Sequence, residues 1–397
     1  MHRTSGDSGD LIPQTFRVSS APPWLGPRAA YIHVPFCAHH CCYCDFAVAA
    51  GQDHLIDLYL EALAAELATL HEPQAIQTLF LGGGTPTHLS TGQLERLLQT
   101  ILHWVALGAG HEFSVEANPA TLTPDKIATL ADHGVNRLSL GAQSFDAAVL
   151  RVLERDHGAV DIRRAVDMAR KRIDKISIDL IFAVPGQSVE QWADDLREAV
   201  ALGVDHVSTY GLTYEKGTRL WKEQQGGRVQ ALDEEVELAM YLRAMDSLTA
   251  AGFEHYEISS FARPGGRCRH NEVYWANHAY FGFGLGAARY VEGRREVNTR
   301  DLQSYLRKSL AGESTVMQSE QLGAEERARE TLCVNLRRGD GVRRPEFLSQ
   351  TGFPVDRLAG EVIRRQVELG LLVDNGDGFC LTRRGKCVAD AVVSAFL

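Results

Sequence analysis

Half of the chain's eight cysteines fall within eight positions, in the run CAHHCCYCDF that spans Cys37 to Phe46. Cys37, Cys41 and Cys44 stand as C-x3-C-x2-C, a spacing that lets three thiolates on one short loop wrap a corner of a cubane iron–sulfur cluster. The fourth iron then has no protein ligand, so a small molecule can chelate it and receive an electron. Zinc is the competing reading, but a structural zinc site takes four protein ligands and no second C-x2-C occurs; His39 or His40 would have to supply the fourth. Adjacent Cys41 and Cys42 cannot aim both sulfurs at one cluster, which makes Cys42 a bystander.

The elements that must hold this loop are legible as alternation. AAYIHV, IQTLFLG, HEFSVEA, VNRLSLG, KISIDLIF and DHVSTYGL read as strands. Between them lie stretches of helical period such as TGQLERLLQTILHWV and VEQWADDLREAVALG, and Leu55, Ile56, Tyr59, Leu60, Leu63, Leu67 and Leu70 recur at helical spacing. Strand and helix in turn predict a parallel sheet covered by helices, with chemistry at the strand C-termini. The unusual residues fall there: the cysteines after the first strand, GGGTP after the second, EANP after the third, GAQSFD after the fourth, and Asp179 within the fifth.

The chain has 397 residues, is 45% hydrophobic and carries a formal charge of -10, which fits a globular protein and gives no basic excess for general nucleic-acid binding. No apolar run approaches the roughly 18 to 20 residues that span a bilayer, and the N-terminus lacks a signal-peptide core, so a cytoplasmic location is expected. In that reducing compartment a tight cysteine cluster points to a metal or redox site rather than a disulfide framework.

The run YIHVPFCAHHCCYCDF resembles the cluster loop of radical S-adenosylmethionine (SAM) enzymes, more narrowly the branch of the oxygen-independent coproporphyrinogen III oxidases. That resemblance implies a partial (β/α)6 TIM-like barrel, a 4Fe-4S cluster on Cys37, Cys41 and Cys44, and SAM chelated at the open iron. It also implies SAM contacts at Tyr31, six residues before Cys37, at Tyr43 inside the motif, and at Gly83, Gly84 and Thr85 of GGGTP. Glu116 of EANP, Gln143 of GAQSF, Arg155 of LERDHG, Asp179 of SIDLIF and Thr213 match further family positions around the ribose, adenine and carboxylate. Taken singly, Arg155 or Asp179 reads as a surface or capping charge.

Two features divide the branch. The decarboxylating oxidases carry a further cysteine two residues after the third ligand, where this chain has Phe46. In addition, His270-Asn271-Glu272-Val273-Tyr274-Trp275 is an H-N-x-x-Y-W run similar to the signature of haem-chaperone relatives, which keep the cluster site and pass haem on. That resemblance implies haem contacts at His270, Asn271, Tyr274 and Trp275, with Arg263, Arg267 and Arg269 as candidate partners for the propionates. The bland reading of an isolated H-N-x-x-Y-W is that His270 and Asn271 cap backbone while Tyr274 and Trp275 fill a core.

The expected organisation is a loose leader over residues 1–27, a barrel over 28–250, a linker region with the H-N-x-x-Y-W run over 251–324, and a small α+β, winged-helix-like domain over 325–397. Residues 341–397 hold eight Lys/Arg and seven Asp/Glu, so the tail is expected to be structural rather than DNA-binding. The expected partners are haem, a haem-acceptor protein and a second copy of the chain. Decarboxylation of coproporphyrinogen III is the alternative function.

Overall fold

The computed structural model describes residues 21–397; the first part of the expected leader, residues 1–20, lies outside the described residues. Six parallel strands form the centre of the main sheet: β1 (Ala29–Val34), β2 (Gln74–Gly83), β3 (Val105–Ala117), β4 (Arg137–Gln143), β5 (Lys175–Phe182) and β6 (His206–Gly211). Beyond β6 come two short antiparallel strands, β7 (Glu254–His255) and β8 (Ser260–Ala262), while β9 (Phe281–Phe283) pairs parallel to the other side of β1. The order across the sheet is β9-β1-β2-β3-β4-β5-β6-β8-β7.

Register explains how the sheet has two very different faces. Residues on one face, among them Ile32, Leu81, Val115, Leu140, Ile178 and Val207, belong to a continuous apolar core. That core is shared with helices α1 (Ile56–Leu67), α2 (Thr91–Trp104), α3 (Pro124–Asp132), α4 (Ala159–Ala169), α5 (Val189–Ala201) and α6 (Glu234–Ala250). The alternate residues are polar or aromatic and lie side by side: Tyr31 pairs with Phe80, Glu116 with Ser139, Ser139 with Ser177, Ser177 with His206, and Asp179 with Ser208. A period of two thus puts apolar residues under the helices and polar ones on the inner face of a curved, partial barrel.

Helix starts follow local chemistry. Ser90 and Ser188 close capping boxes with Gln93 and Gln191, and Thr123 accepts from Lys126 N just before Pro124. The strand expected from His111 begins earlier, at Val105, directly at the end of α2, and β2 carries an irregularity between Ile76 and Thr78 where it pairs with this longer β3.

Residues 251–324 are not a linker. They supply β7, β8 and β9 to the main sheet, helix α7 (Arg269–Trp275), a small antiparallel sheet of β10 (Ala288–Val291), β11 (Arg294–Asn298) and β12 (Val316–Gln321), and helix α8 (Leu302–Leu310). Residues 21–27, expected as loose, form a turn in which Leu25 N and Gly26 N both donate to Pro22 O, and Pro23 O accepts from Ala279 N.

A second apolar core, around Leu332, Leu336, Phe347, Ile363, Phe379 and Phe396, lies in the C-terminal region. It joins helices α9 (Ala324–Asn335), α10 (Arg344–Thr351) and α11 (Val355–Glu368) to a three-stranded antiparallel sheet of β13 (Val342–Arg343), β15 (Gly378–Leu381) and β14 (Leu372–Asp374). The turn-forming run Asp374-Asn375-Gly376-Asp377-Gly378 joins β14 to β15 as a hairpin. No helix among the described residues is long and apolar enough to cross a membrane.

One buried carboxylate ties the segment after β9 to the barrel. Glu66 of α1 accepts from Gly284 N at 2.8 Å, Asn298 Nδ2 at 2.7 Å, Tyr305 Oη at 2.6 Å and Thr315 Oγ1 at 3.3 Å. Replacing Glu66 by Ala strands these donors in the interior, and a loss of about 3 to 5 kcal/mol is expected. Thermal unfolding should show Glu66→Ala melting well below wild type, with Glu66→Gln between the two.

Candidate functional site

The cysteine loop leaves β1 at Pro35 and closes over the C-terminal ends of the strands. Phe36 and Cys37 pair with Ala49 and Ala50, and Cys44 N donates to Cys41 O at 3.2 Å, so the loop returns on itself with three cysteines in one neighbourhood. Cys37 Sγ lies 3.5 Å from Thr85 Oγ1, and Cys41 Sγ accepts from Arg155 Nη1 at 3.5 Å. Burial pushes the Cys37 thiol up to about 11 and raises Cys44 as well, with neighbouring cysteines adding to both. A metal bound here would supply the positive charge that offsets this burial and favours the Cys37 and Cys44 thiolates.

Cys42 points elsewhere. It is 4% exposed, packs with Val149, Leu153, Ile181, Val184, Leu212 and Leu220, and donates its thiol to Val152 O at 3.4 Å. His39 and His40 are engaged with backbone carbonyls, of Glu154 and Cys44 respectively.

The GGGTP turn lies against this loop. Gly84 N donates to Val34 O at 2.8 Å and Thr85 N to Phe36 O at 2.9 Å, which seats the turn beside the cysteines. Gly83 has φ +110°, and a Cβ there would come within 2.3 Å of the His33 ring. A Cβ on Gly84 would come within 2.7 Å of the Pro35 backbone, so both positions require glycine for close approach.

Around the turn the inner face presents the remaining expected residues. Glu116 Oε2 accepts from Gly83 N at 2.9 Å; burial, with Asp179 nearby adding to it, pushes this carboxyl up to about 7. Asp179, also raised by burial, accepts from Ser139 Oγ at 3.1 Å. Arg155 donates Nη2 to Gly141 O at 3.0 Å, while its Nε is buried without a partner among the described residues. Tyr31 Oη is 3.0 Å from His33 Nδ1, whose Nε2 reaches Ala47 O, so the tyrosine is held toward the cysteine loop. Tyr43 sits beside Arg155, and Gln143 takes φ +66° at the end of β4. Thr213 is exposed beyond β6. Among the described residues Thr213 bonds only back to Gly211 O, whereas the other residues gather at the strand ends, where their donors, acceptors and glycine cradle fit a polar cofactor beside a metal cluster.

The H-N-x-x-Y-W residues are arranged otherwise than the sequence implies. His270 is 0% exposed, with Nδ1 3.0 Å from Thr78 Oγ1 and Nε2 2.8 Å from Tyr274 Oη. Burial holds the imidazole neutral, down to about 3. Both ring nitrogens are occupied, so neither is offered to an external iron in this conformation. Asn271 is half-buried, and Trp275 lies on the opposite side of α7 from the sheet, under the Arg337 guanidinium at 4.7 Å. The motif therefore lies in the interior of a joint, with the His270 ring sealed between Thr78 and Tyr274.

The arginines expected at propionates are spent within the protein. Arg263 lies over Phe253 at 4.4 Å, Arg267 bonds Glu254, Glu272 and Asp340, and Arg269 donates to Gly110 O at 2.8 Å.

Sequence reasoning missed Glu112, Arg137 and His206, which line the inner face below the cofactor end. Glu112 accepts from Arg269 N at 3.1 Å and His270 N at 2.9 Å, fastening the start of α7. Arg137 donates to Gly266 O at 2.9 Å, and His206 bridges Ser177 and Tyr256. The available signal was the run of polar residues at alternate positions within otherwise apolar strands.

Glu116 gives a pH prediction. With its folded pKa raised from the ordinary 4.5 to about 7, its contribution to stability is present below 4.5 and is lost as pH rises through 7. Glu116→Gln should therefore gain thermal stability relative to wild type between pH 4.5 and 7.5, with the gain constant above that; melting curves across this range check it.

The radical SAM superfamily profile matches residues 31–199, and the HemN C-terminal domain profile matches residues 322–388. In fold, the chain is similar to the solved coproporphyrinogen III oxidase HemN of Escherichia coli, a radical SAM enzyme, with TM-score 0.81 and 22% identity over 93% of this chain and 90% of that one. In sequence it is 36% identical to the heme chaperone HemW of Lactococcus lactis, over 94% of this chain and 97% of that protein. It is equally 36% identical to the heme chaperone HemW of Bacillus subtilis, over 93% and 99%. Matched along nearly the full length of both proteins, with the cysteine triad at the mouth of a partial barrel, the chain belongs to the HemW family of the radical SAM superfamily.

Proposed function

We propose that this chain is a haem chaperone: it binds haem and transfers it to an acceptor protein, carrying a 4Fe-4S cluster at which SAM exchanges. The observation that carries the reading is the near full-length match to proteins named heme chaperones, joined to three half-buried thiols at the mouth of the barrel.

Cys37, Cys41 and Cys44 would hold the cluster, which when bound supplies an open iron for chelation and a source of electrons. The Gly83-Gly84-Thr85 turn lets the backbone approach the cofactor closely. Glu116 and Asp179 offer acceptors for hydroxyl groups, Arg155 offers a cation with a free buried N–H, and Tyr31, Tyr43, Gln143 and Thr213 complete the rim. Phe46, 64% exposed, stands where the decarboxylating relatives carry another cysteine.

Haem would be taken at a surface other than the sealed His270 Nε2, and the acceptor and a second copy of the chain complete the proposed partners. A cytoplasmic location follows as part of this reading.

A haem titration of the anaerobically reconstituted full chain, followed at the Soret band, tests it. Saturable binding at about one haem per chain, released to an apo acceptor such as apomyoglobin, is expected. Absence of saturable binding would sink the chaperone reading and leave decarboxylation of coproporphyrinogen III as the activity to assay.

A further inference from the structure

A file of rings on the inner face runs unbroken from the cofactor end of the sheet to the C-terminal domain. Tyr31 stacks on Phe80 with centroids 6.2 Å apart, Phe80 lies 5.2 Å from His270, His270 meets Tyr274 edge-on at 5.0 Å, and Tyr274 meets Tyr280 at 4.7 Å. Tyr280 neighbours Arg295 and Glu330, which form an ion pair, and Glu330 belongs to α9.

Helix α7 carries the middle of this file and is gripped on its other side by the C-terminal domain. Arg267, just before it, bonds Asp340 at 3.2 Å. Trp275 lies under Arg337, and Asn277 Nδ2 donates to Glu330 Oε2 at 3.2 Å and Thr331 Oγ1 at 3.0 Å. Gln350 of α10 donates to Ala276 O at 2.9 Å. The helix is thus fixed to β3 by Glu112, to β2 through His270, and to α9 and α10 from outside.

We propose that His270 and Tyr274 are positioning residues: they set Tyr31 through Phe80 and couple occupancy of the cofactor pocket to the docking of the C-terminal domain. The inference rests on the SAM reading above. Close-packed rings respond to displacement at one end by repacking as a set, because no space is left for independent movement. Coupling of this kind is reciprocal: the factor by which SAM tightens docking is the factor by which docking tightens SAM binding, so a change that loosens the domain weakens SAM binding by up to that factor.

The test is hydrogen–deuterium exchange in the full, anaerobically reconstituted chain with and without SAM, with cluster EPR reporting whether SAM is bound. Exchange across Ala324–Asn335 should slow by roughly fivefold or more on SAM binding, the low end of such couplings. Tyr274→Phe keeps the ring and removes only the hydroxyl on His270 Nε2. It should still bind SAM by EPR yet lose the slowing. Arg337→Ala, far from the cofactor pocket, should weaken SAM binding by a comparable factor.

Unchanged exchange in wild type with SAM bound overturns the proposal, as does slowing that survives in Tyr274→Phe. An EPR signal that SAM leaves unaltered overturns the cofactor reading itself together with this one.

Discussion

A sheet that turns polar side chains inward must satisfy them without bulk water, and the rest of this structure follows from that requirement. A buried ion left alone costs several kcal/mol, so each inner-face charge needs a partner fixed in place. Arg137 is answered by Gly266 O and the nearby Glu112, Asp179 by Ser139, and His206 by Ser177 and Tyr256. Six strands alone do not close the barrel. The segment from β8 to β9 crosses its inner face and brings Gly266, Cys268 and α7 to groups that would otherwise be stranded.

This arrangement divides the inner face into two levels. At the strand C-termini, Glu116, Asp179, Arg155 and the glycine turn keep acceptors, a cation and close-approach backbone around three thiols. Deeper in, Thr78, Phe80 and Glu112 bind α7 rather than a ligand. The carboxyls at the upper level are raised by burial, as expected of a pocket that spends stability to stay poised for a polar guest.

Much of the upper level was legible in the sequence because its residues are local. The cysteine spacing, the glycine run and the placement of Glu116, Gln143 and Asp179 at strand ends follow from alternation and short motifs. Cys42 could be set aside on adjacency alone. The lower level was not legible, since its meaning lies in contacts between distant residues: Thr78 with His270 and Arg337 with Trp275. An H-N-x-x-Y-W run looks the same whether its imidazole faces a ligand or a threonine hydroxyl. The extent of residues 251–324 was likewise hidden, because Phe281–Phe283 joins the sheet only by pairing with a strand some 250 residues earlier.

The central claim is that three thiols at the barrel mouth hold a cluster whose fourth iron is open to SAM. The most direct measurement is the EPR spectrum of the reduced, reconstituted chain with and without SAM. A 4Fe-4S signal whose g values shift on adding SAM is the result this account predicts. A cluster signal indifferent to SAM, or a chain that takes up zinc and forms no iron–sulfur cluster, would contradict it.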